Sequence, residues 1–550
     1  MDELNRAGTA QSAFTSAWSE SGAHRFGRAV VAVLAFALSS AATAAQPPVL
    51  QRGYNPLVTG ANLRETILNT TNVAPSTFGL VFKLPVAGNV YAQPLYVPGV
   101  VTAKRGTHNI VYVATMNDIL YGFDADTAGA ALWRVNVANL VGGTPVPIDQ
   151  FTFSGNRNIV GNLGILSTPV IDAPSNLIYL VACTLESGAM VYRLHAIDIR
   201  SGAEPLGPGV VIAGTYGGLT FDARYVTQRV SLVLADNQVV FGFGPMQLEY
   251  PSAYSGWVMA YDKTTLKQSG IFATITTGDN GGGVWQSGRP PVVGGGGDVF
   301  VFVGNGYTGG YNGVTNFSES VLKLDPSKGL KLVDWFTPDI WSSMDAEDQD
   351  LSSSGPMMIP GTQLLAGGGK PGVLYILNAN KLGKFTSNDS QVVQEEQVTT
   401  GSLRAGPVFW QRTAAAGGPV LYVWGTHDAV KAYPFNGTMI SANPSEQGGN
   451  PSQIWPGGIL ALSANGEEHG SGVLWATVAT SGDAENNPPV PGALYAFDAE
   501  NLATELWSST TNLSRDNYGL FAKFVPPLVV NGKVYVATSS NQLAVYGLLQ

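Results

Sequence analysis

The sequence predicts an all-β fold: an eight-bladed β-propeller of four-stranded antiparallel blades, closed by an N-terminal strand that completes the last blade. Three observations carry this expectation. With 67 glycines and 33 prolines in 550 residues, 45% apolar residues and only 12% charged ones, the composition is that of a turn-rich β protein with buried strands. A ten-residue pattern, a strand ending of the Y-x-F-D kind followed by a turn, recurs along the chain. Finally, the last copy is one strand short, while an unattached strand lies near the N-terminus.

The recurring pattern is "LYGFDADTAG", which returns as "LHAIDIRSGA", "VMAYDKTTLK", "VLKLDPSKGL", "LYILNANKLG", "VKAYPFNGTM", "LYAFDAENLA" and the terminal "LAVYGLLQ". Its turn positions are Asp124, Asp198, Asp262, Asp325, Asn378, Pro434, Asp498 and Gly547. Asp and Asn accept from backbone N–H groups two residues on, so a turn accounts for this residue without a ligand role. Each copy follows a short element rich in small residues and proline, such as "LSTPVID", "SGPMMIP" and "AGPVFWQ", as a crowded axis requires. Inner strand, turn, second strand ("NIVYVAT"), third strand and fourth ("ALWRVNV") make one blade. The last unit has only "KVYVATS" and "LAVYGLL" after Gly532, whereas "GLVFKLPV" at 79–86 lacks a blade of its own. Pairing the two closes the ring and removes the unpaired edges.

Ahead of the propeller, assigned to 79–550, come an N-terminal extension with a signal peptide (1–44) and a lead-in segment (45–78). Arg25 and Arg28, the apolar run Ala29 to Leu38 and the small residues Ala42-Thr43-Ala44 have the form of a secretory signal. That run is too short to anchor a chain in a bilayer, so the mature protein is expected in the periplasm or medium. A formal net charge of -10 disfavours nucleic acid. The single cysteine, Cys183, sits in the alternating "LIYLVACTLE" as a small buried residue, and excludes intramolecular disulfides and cysteine-rich zinc sites.

"VYVATMNDILYGFDADTAGAALWRVNV", "LYAFDAENLATELWSS" and "GKVYVATSSNQLAVYGL" resemble the pyrroloquinoline-quinone-like propeller repeat proteins of the quinoprotein alcohol dehydrogenase-like superfamily. The resemblance covers roughly residues 79 to 550 and implies the propeller fold. For the enzymes of that family it also implies pyrroloquinoline quinone on the axis between a tryptophan floor and a vicinal disulfide, with calcium or a lanthanide beside it and an aspartate base. This chain has no second cysteine for that lid. Other relatives use the same propeller as a binding or assembly scaffold.

Loops leading into the inner strands surround one mouth of a propeller's axial channel. The ligand-binding candidates there are Gln93, Gln228, Trp285, Gln286, Arg404 and Lys523, with Asp428 in the turn of the sixth unit. "GDNGGGVWQSGRPP" combines glycines that admit close backbone approach, a stacking face at Trp285 and a donor-acceptor pair at Gln286. The same tryptophan also fits a wedge between blades. His427 and Asp428 are adjacent, so in extended chain they point to opposite sides, and a turn explains them better than a base with its orienting partner. Asp345, Asp348 and Asp350 in "MDAEDQDLSSSGP" offer hard oxygens of the kind calcium takes, without an EF-hand's glycine and distal glutamate. A solvated acidic loop is the alternative. No G-x-S-x-G or P-loop motif is present.

The expectation is therefore a secreted or periplasmic monomer that binds a small molecule, a glycan or a partner protein of the envelope at the channel mouth. The first alternative is an enzyme, a quinone-dependent alcohol or sugar dehydrogenase with an atypical cofactor site using the quinone and calcium. A second is an envelope assembly scaffold.

Overall fold

The structure, a computed structural model, describes residues 46–150, 159–246, 254–278, 281–307, 309–449, 455–485 and 487–550. The expected signal peptide lies outside the described residues. Residues Ala45–Gln550 form one compact unit, so the lead-in segment and the propeller fold together. No described helix is long and apolar enough to cross a membrane.

Eight antiparallel sheets of at least four strands follow one another in chain order. Their inner strands are Leu95–Thr102, Val170–Asp172, Val233–Ala235, Val292–Val293, Met357–Met358, Val408–Trp410, Ile459–Ser463 and Leu528–Val530, for blades 1 to 8. In blade 8, Gln542–Leu548 pairs antiparallel with Phe78–Pro85, from Phe78 opposite Leu548 to Pro85 opposite Gln542, with a one-residue bulge between Leu80 and Phe82. The seam thus joins the two ends of the propeller as the repeat count requires. Second strands such as Val420–Trp424 are buried at every residue, because each blade is covered on both faces by its neighbours. Eight apolar clusters fill the eight spaces between adjacent blades. The one at the seam packs Leu84 and Val545 of blade 8 against Val111 and Phe123 of blade 1.

The repeated turn residue behaves as a backbone acceptor. Oδ1 of Asp124, Asp198, Asn378 and Asp498 accepts the N–H two residues on, at 2.7 to 3.0 Å. The small residues before the inner strands link neighbouring blades around the axis: Gln93 N–H donates to Thr168 Oγ1, Thr168 N–H to Ser231 Oγ, and Ser231 Oγ to Gly288 O. Cys183 is fully buried in blade 2.

The lead-in segment adds what the repeat does not contain, a strap laid against the channel side of the inner strands. Its carbonyls at Val49, Leu50, Pro56, Leu57, Thr59 and Gly60 accept from the N–H groups of Tyr96, Ile171, Val293, Met358, Phe409 and Leu462 in turn, at 2.8 to 3.2 Å. Asn62 then donates to Val529 O at 3.0 Å. One short segment therefore satisfies inner-strand donors of six blades and reaches a seventh, and Ala61–Asn62 runs parallel to blade 7 as an extra strand. Buried backbone donors left unpaired are costly, so the strap and the ring stabilise each other.

Candidate functional site

The loops entering the inner strands enclose a cavity of about 980 Å3. Arg229 approaches it ahead of blade 3, Trp285 ahead of blade 4, Arg404 ahead of blade 6, Trp455 ahead of blade 7, and Lys523 with Phe524 ahead of blade 8. One wall is aromatic. The Phe524 ring lies 5.9 Å from that of Trp285 and 5.6 Å from that of Trp455. Cations cover these rings: Arg404 and Lys523 each stand 4.8 Å from the Trp455 centroid, and Arg229 stands 5.4 Å from that of Phe524. Burial holds Arg229 down at about 10, and burial with the nearby Arg229 and Arg404 charges holds Lys523 well below its ordinary value.

The adjoining wall is built on blades 4 and 5 and is acidic, with one lysine at its centre. Lys370 Nζ reaches Asp350 Oδ2 at 2.7 Å and Asp348 Oδ1 at 2.6 Å. Asp350 Oδ1 accepts from Asn305 N–H at 3.1 Å. Burial alone would raise Asp350, but the Lys370 ammonium, that N–H and the Trp285 indole hold it below the usual carboxylate value. Asp345 accepts from Gly306 N–H at 2.7 Å and Ser318 Oγ at 2.8 Å, yet burial still lifts it to about 6. Behind them Glu319 is wholly buried and pushed well above its ordinary value by burial and the charges of Asp350 and Asp345. It gives one oxygen to Leu351 N–H at 2.6 Å.

Of the residues singled out from the sequence, Trp285, Arg404, Lys523, Asp345, Asp348 and Asp350 line this cavity. Gln286 does not: its amide donates to Arg289 O and accepts from Phe302 N–H, tying a loop to blade 4. Gln228 is likewise buried, between Ser167 Oγ and Val230 O. Gln93 lines a second, smaller cavity. Asp428 sits in the blade 6 turn beside His427, whose φ is 54°, and binds Lys431 Nζ at 2.7 Å and Thr400 N–H at 2.8 Å. The sequence reading passed over Arg229, Asn305, Lys370, Glu319 and Phe524. Lys370 stands in "GGGKPG", which reads as a plain turn, and only its partner on blade 5's approach gives it a role.

Asp348 and Asp350 converge on the Lys370 ammonium instead of on an open centre, while Asp345 is held by Gly306 N–H and Ser318 Oγ. Both oxygens of Asp350 and of Asp345 are taken by protein donors, and no group of three or more His, Cys, Asp or Glu among the described residues is placed to hold a metal ion. Calcium needs six to eight oxygens with free lone pairs, so the residues as arranged do not fit it. The organic cofactor that the resemblance implies is planar and carries carboxylates, and the aromatic, cation-bearing wall does fit such a molecule.

No family model and no curated protein matches the sequence. Among solved structures, a quinohaemoprotein alcohol dehydrogenase from Pseudomonas putida is similar at 12% identity and a TM-score of 0.54, over 91% of this chain and 80% of that one. Its counterpart from Comamonas testosteroni is similar at 14% identity and 0.52, over 92% and 81%. At such identities the likeness shows the fold alone: the chain is an eight-bladed β-propeller similar in fold to these two quinohaemoproteins.

Proposed function

We propose that this protein is a secreted quinoprotein-like propeller that binds a small organic molecule with a planar ring and an anionic group at its channel mouth. One observation carries the reading: in the cavity of about 980 Å3, aromatic faces and cationic groups converge on one wall. Cavities of this size enclose a drug-sized ligand. An anion gains from buried cations far more than a neutral sugar does, because the cations are already partly desolvated. Trp285 and Trp455 supply the stacking faces, while Arg404 and Lys523 take the negative charge. The signal-like segment supports export.

Titrating the mature protein with pyrroloquinoline quinone, with planar aromatic carboxylates and with neutral sugars, read by tryptophan fluorescence and calorimetry, tests this. Anionic aromatics are expected to bind, and Trp285→Ala with Arg404→Gln to weaken them at least tenfold. Preferential binding of neutral sugars would overturn the reading.

The second reading is a quinone-dependent dehydrogenase, favoured by the ionised Asp350 at the cavity wall as a base. Bound quinone would supply the electron acceptor, and Asp350 would take the substrate proton on giving up its Lys370 or Asn305 donor. Loading with quinone, with and without calcium, and assaying dye reduction by alcohols and sugars separates the two: turnover lost in Asp350→Asn would establish the enzyme.

A further inference from the structure

Between the mouth cavity and the strap lies a second cavity of about 20 Å3, sharing Arg404 and Phe524 with the first. Its other polar walls come from Arg52 and Tyr54 of the strap, Gln93, Ser287 and Arg289, and no carboxylate among the described residues lines it. Among the described residues no Asp or Glu pairs with Arg52, Arg229 or Arg289, and Arg404 has only Glu485 at 3.8 Å. Burial and mutual repulsion hold Arg52 well below its ordinary value, and burial alone brings Arg289 to about 9. Three donors on this wall have no hydrogen-bond partner among the described residues: Gln93 Nε2, Arg289 Nε and Arg404 Nε. Gln93 is 1% exposed and Arg289 7%. The glycines around them are fitted to the guanidinium groups, since a Cβ at Gly288 would meet Arg52 and one at Gly406 would meet Arg289.

Unpartnered buried donors are destabilising, and buried cations without a counter-charge more so. A water satisfies donors only by presenting its oxygen, and leaves its own hydrogens facing cations. A monatomic anion accepts from every direction and supplies the missing charge. The volume admits about one water-sized particle, which excludes phosphate, sulfate and carboxylate-bearing molecules.

We propose that this cavity is a structural halide site, filled by chloride held between Gln93, Arg289, Arg404 and Arg52, which locks the strap to the ring. The site shares Arg404 with the mouth, but the proposal does not depend on the ligand proposed there.

Two measurements on the mature chain test it. Thermal unfolding at fixed ionic strength is expected to show a saturable rise in midpoint with chloride or bromide over sodium gluconate, since a ligand that binds only the folded state stabilises it by mass action. The rise should vanish in Arg289→Gln and shrink several-fold in Gln93→Leu, which keeps all the cations should the arginine variant fail to fold. Crystals grown in sodium bromide should give an anomalous peak in the cavity. Equal midpoints in halide and gluconate, or a water in place of bromide, would overturn the proposal.

Discussion

Replacing Lys370 by methionine tests the acidic wall of the mouth. The ammonium and Asp350 are 8% and 3% exposed and 2.7 Å apart; at an effective dielectric of 20 their gross attraction is about 6 kcal/mol. Desolvation cancels much of that in the intact pair, but removing one partner leaves the other buried and uncompensated, at a cost of about 3–5 kcal/mol. Asp348, 61% exposed, contributes little. At about 2.1 cal/mol/K per residue, a unit of about 500 residues has an unfolding entropy near 1 kcal/mol/K, so the midpoint should fall by about 3–5 °C at pH 8. In the parent, Asp350 is held below its unfolded value, so its stabilisation is present above about pH 4 and lost as pH falls through the depressed value. In Lys370→Met burial raises Asp350 instead, and the variant gains stability as pH falls towards 4. Calorimetric scans across pH should therefore show the deficit shrinking between pH 8 and pH 4.5, and Lys370→Met/Asp350→Asn should recover most of it. A deficit of equal size at both pH values, or no recovery in the double variant, would refute an ion pair at the base of this wall.

Further outcomes follow from the seam, the cavity and the strap. Phe78 is fully buried against Trp475 and Trp507, with centroids 5.4 and 5.0 Å away, so Phe78→Ala should cost about 3–5 kcal/mol in urea unfolding, whereas Val81→Ala, on the same strand but 39% exposed, should cost under about 0.5 kcal/mol. Because Asp345 sits at about 6, an anionic ligand at the mouth should bind more tightly as pH falls through 6, and Asp345→Asn should flatten that dependence in calorimetric titrations. Glu65, fully buried, accepts from Ile67, Leu68 and Gly532 N–H groups; Glu65→Ala leaves them unpaired and should speed proteolysis of the strap while the blades persist.

The blades were legible because their signal is local. Asp124, Asp198 and Asp498 each sit two residues before the N–H they accept, so the sequence states the bond, and the short last unit beside the spare strand at Phe82 stated the seam. The strap was not legible, since Val49 to Gly60 act through carbonyls, which any residue possesses, on partners spread over the whole ring. Half of the mouth was visible as aromatic and basic residues ahead of the inner strands. Lys370, Arg229 and Arg289 were not, because a buried cation is recognised by what surrounds it: Arg289 lies inside "SGRPP" and passes for one more small-residue element until the guanidinium meets Arg52 from the strap. That meeting ties the lead-in segment to the proposed mouth site. Without the strap the cations would face water on both sides of the axis; with it, Arg52 joins the buried group, and the ligand proposed for the mouth would meet these charges in a medium of low polarity. A chain cut to begin at the first closing strand keeps every blade and the aromatic wall, yet its cations are hydrated from below. Its affinity for anions at the mouth should fall accordingly, and its unfolding midpoint should fall as well, because inner-strand N–H groups of six blades lose their acceptors.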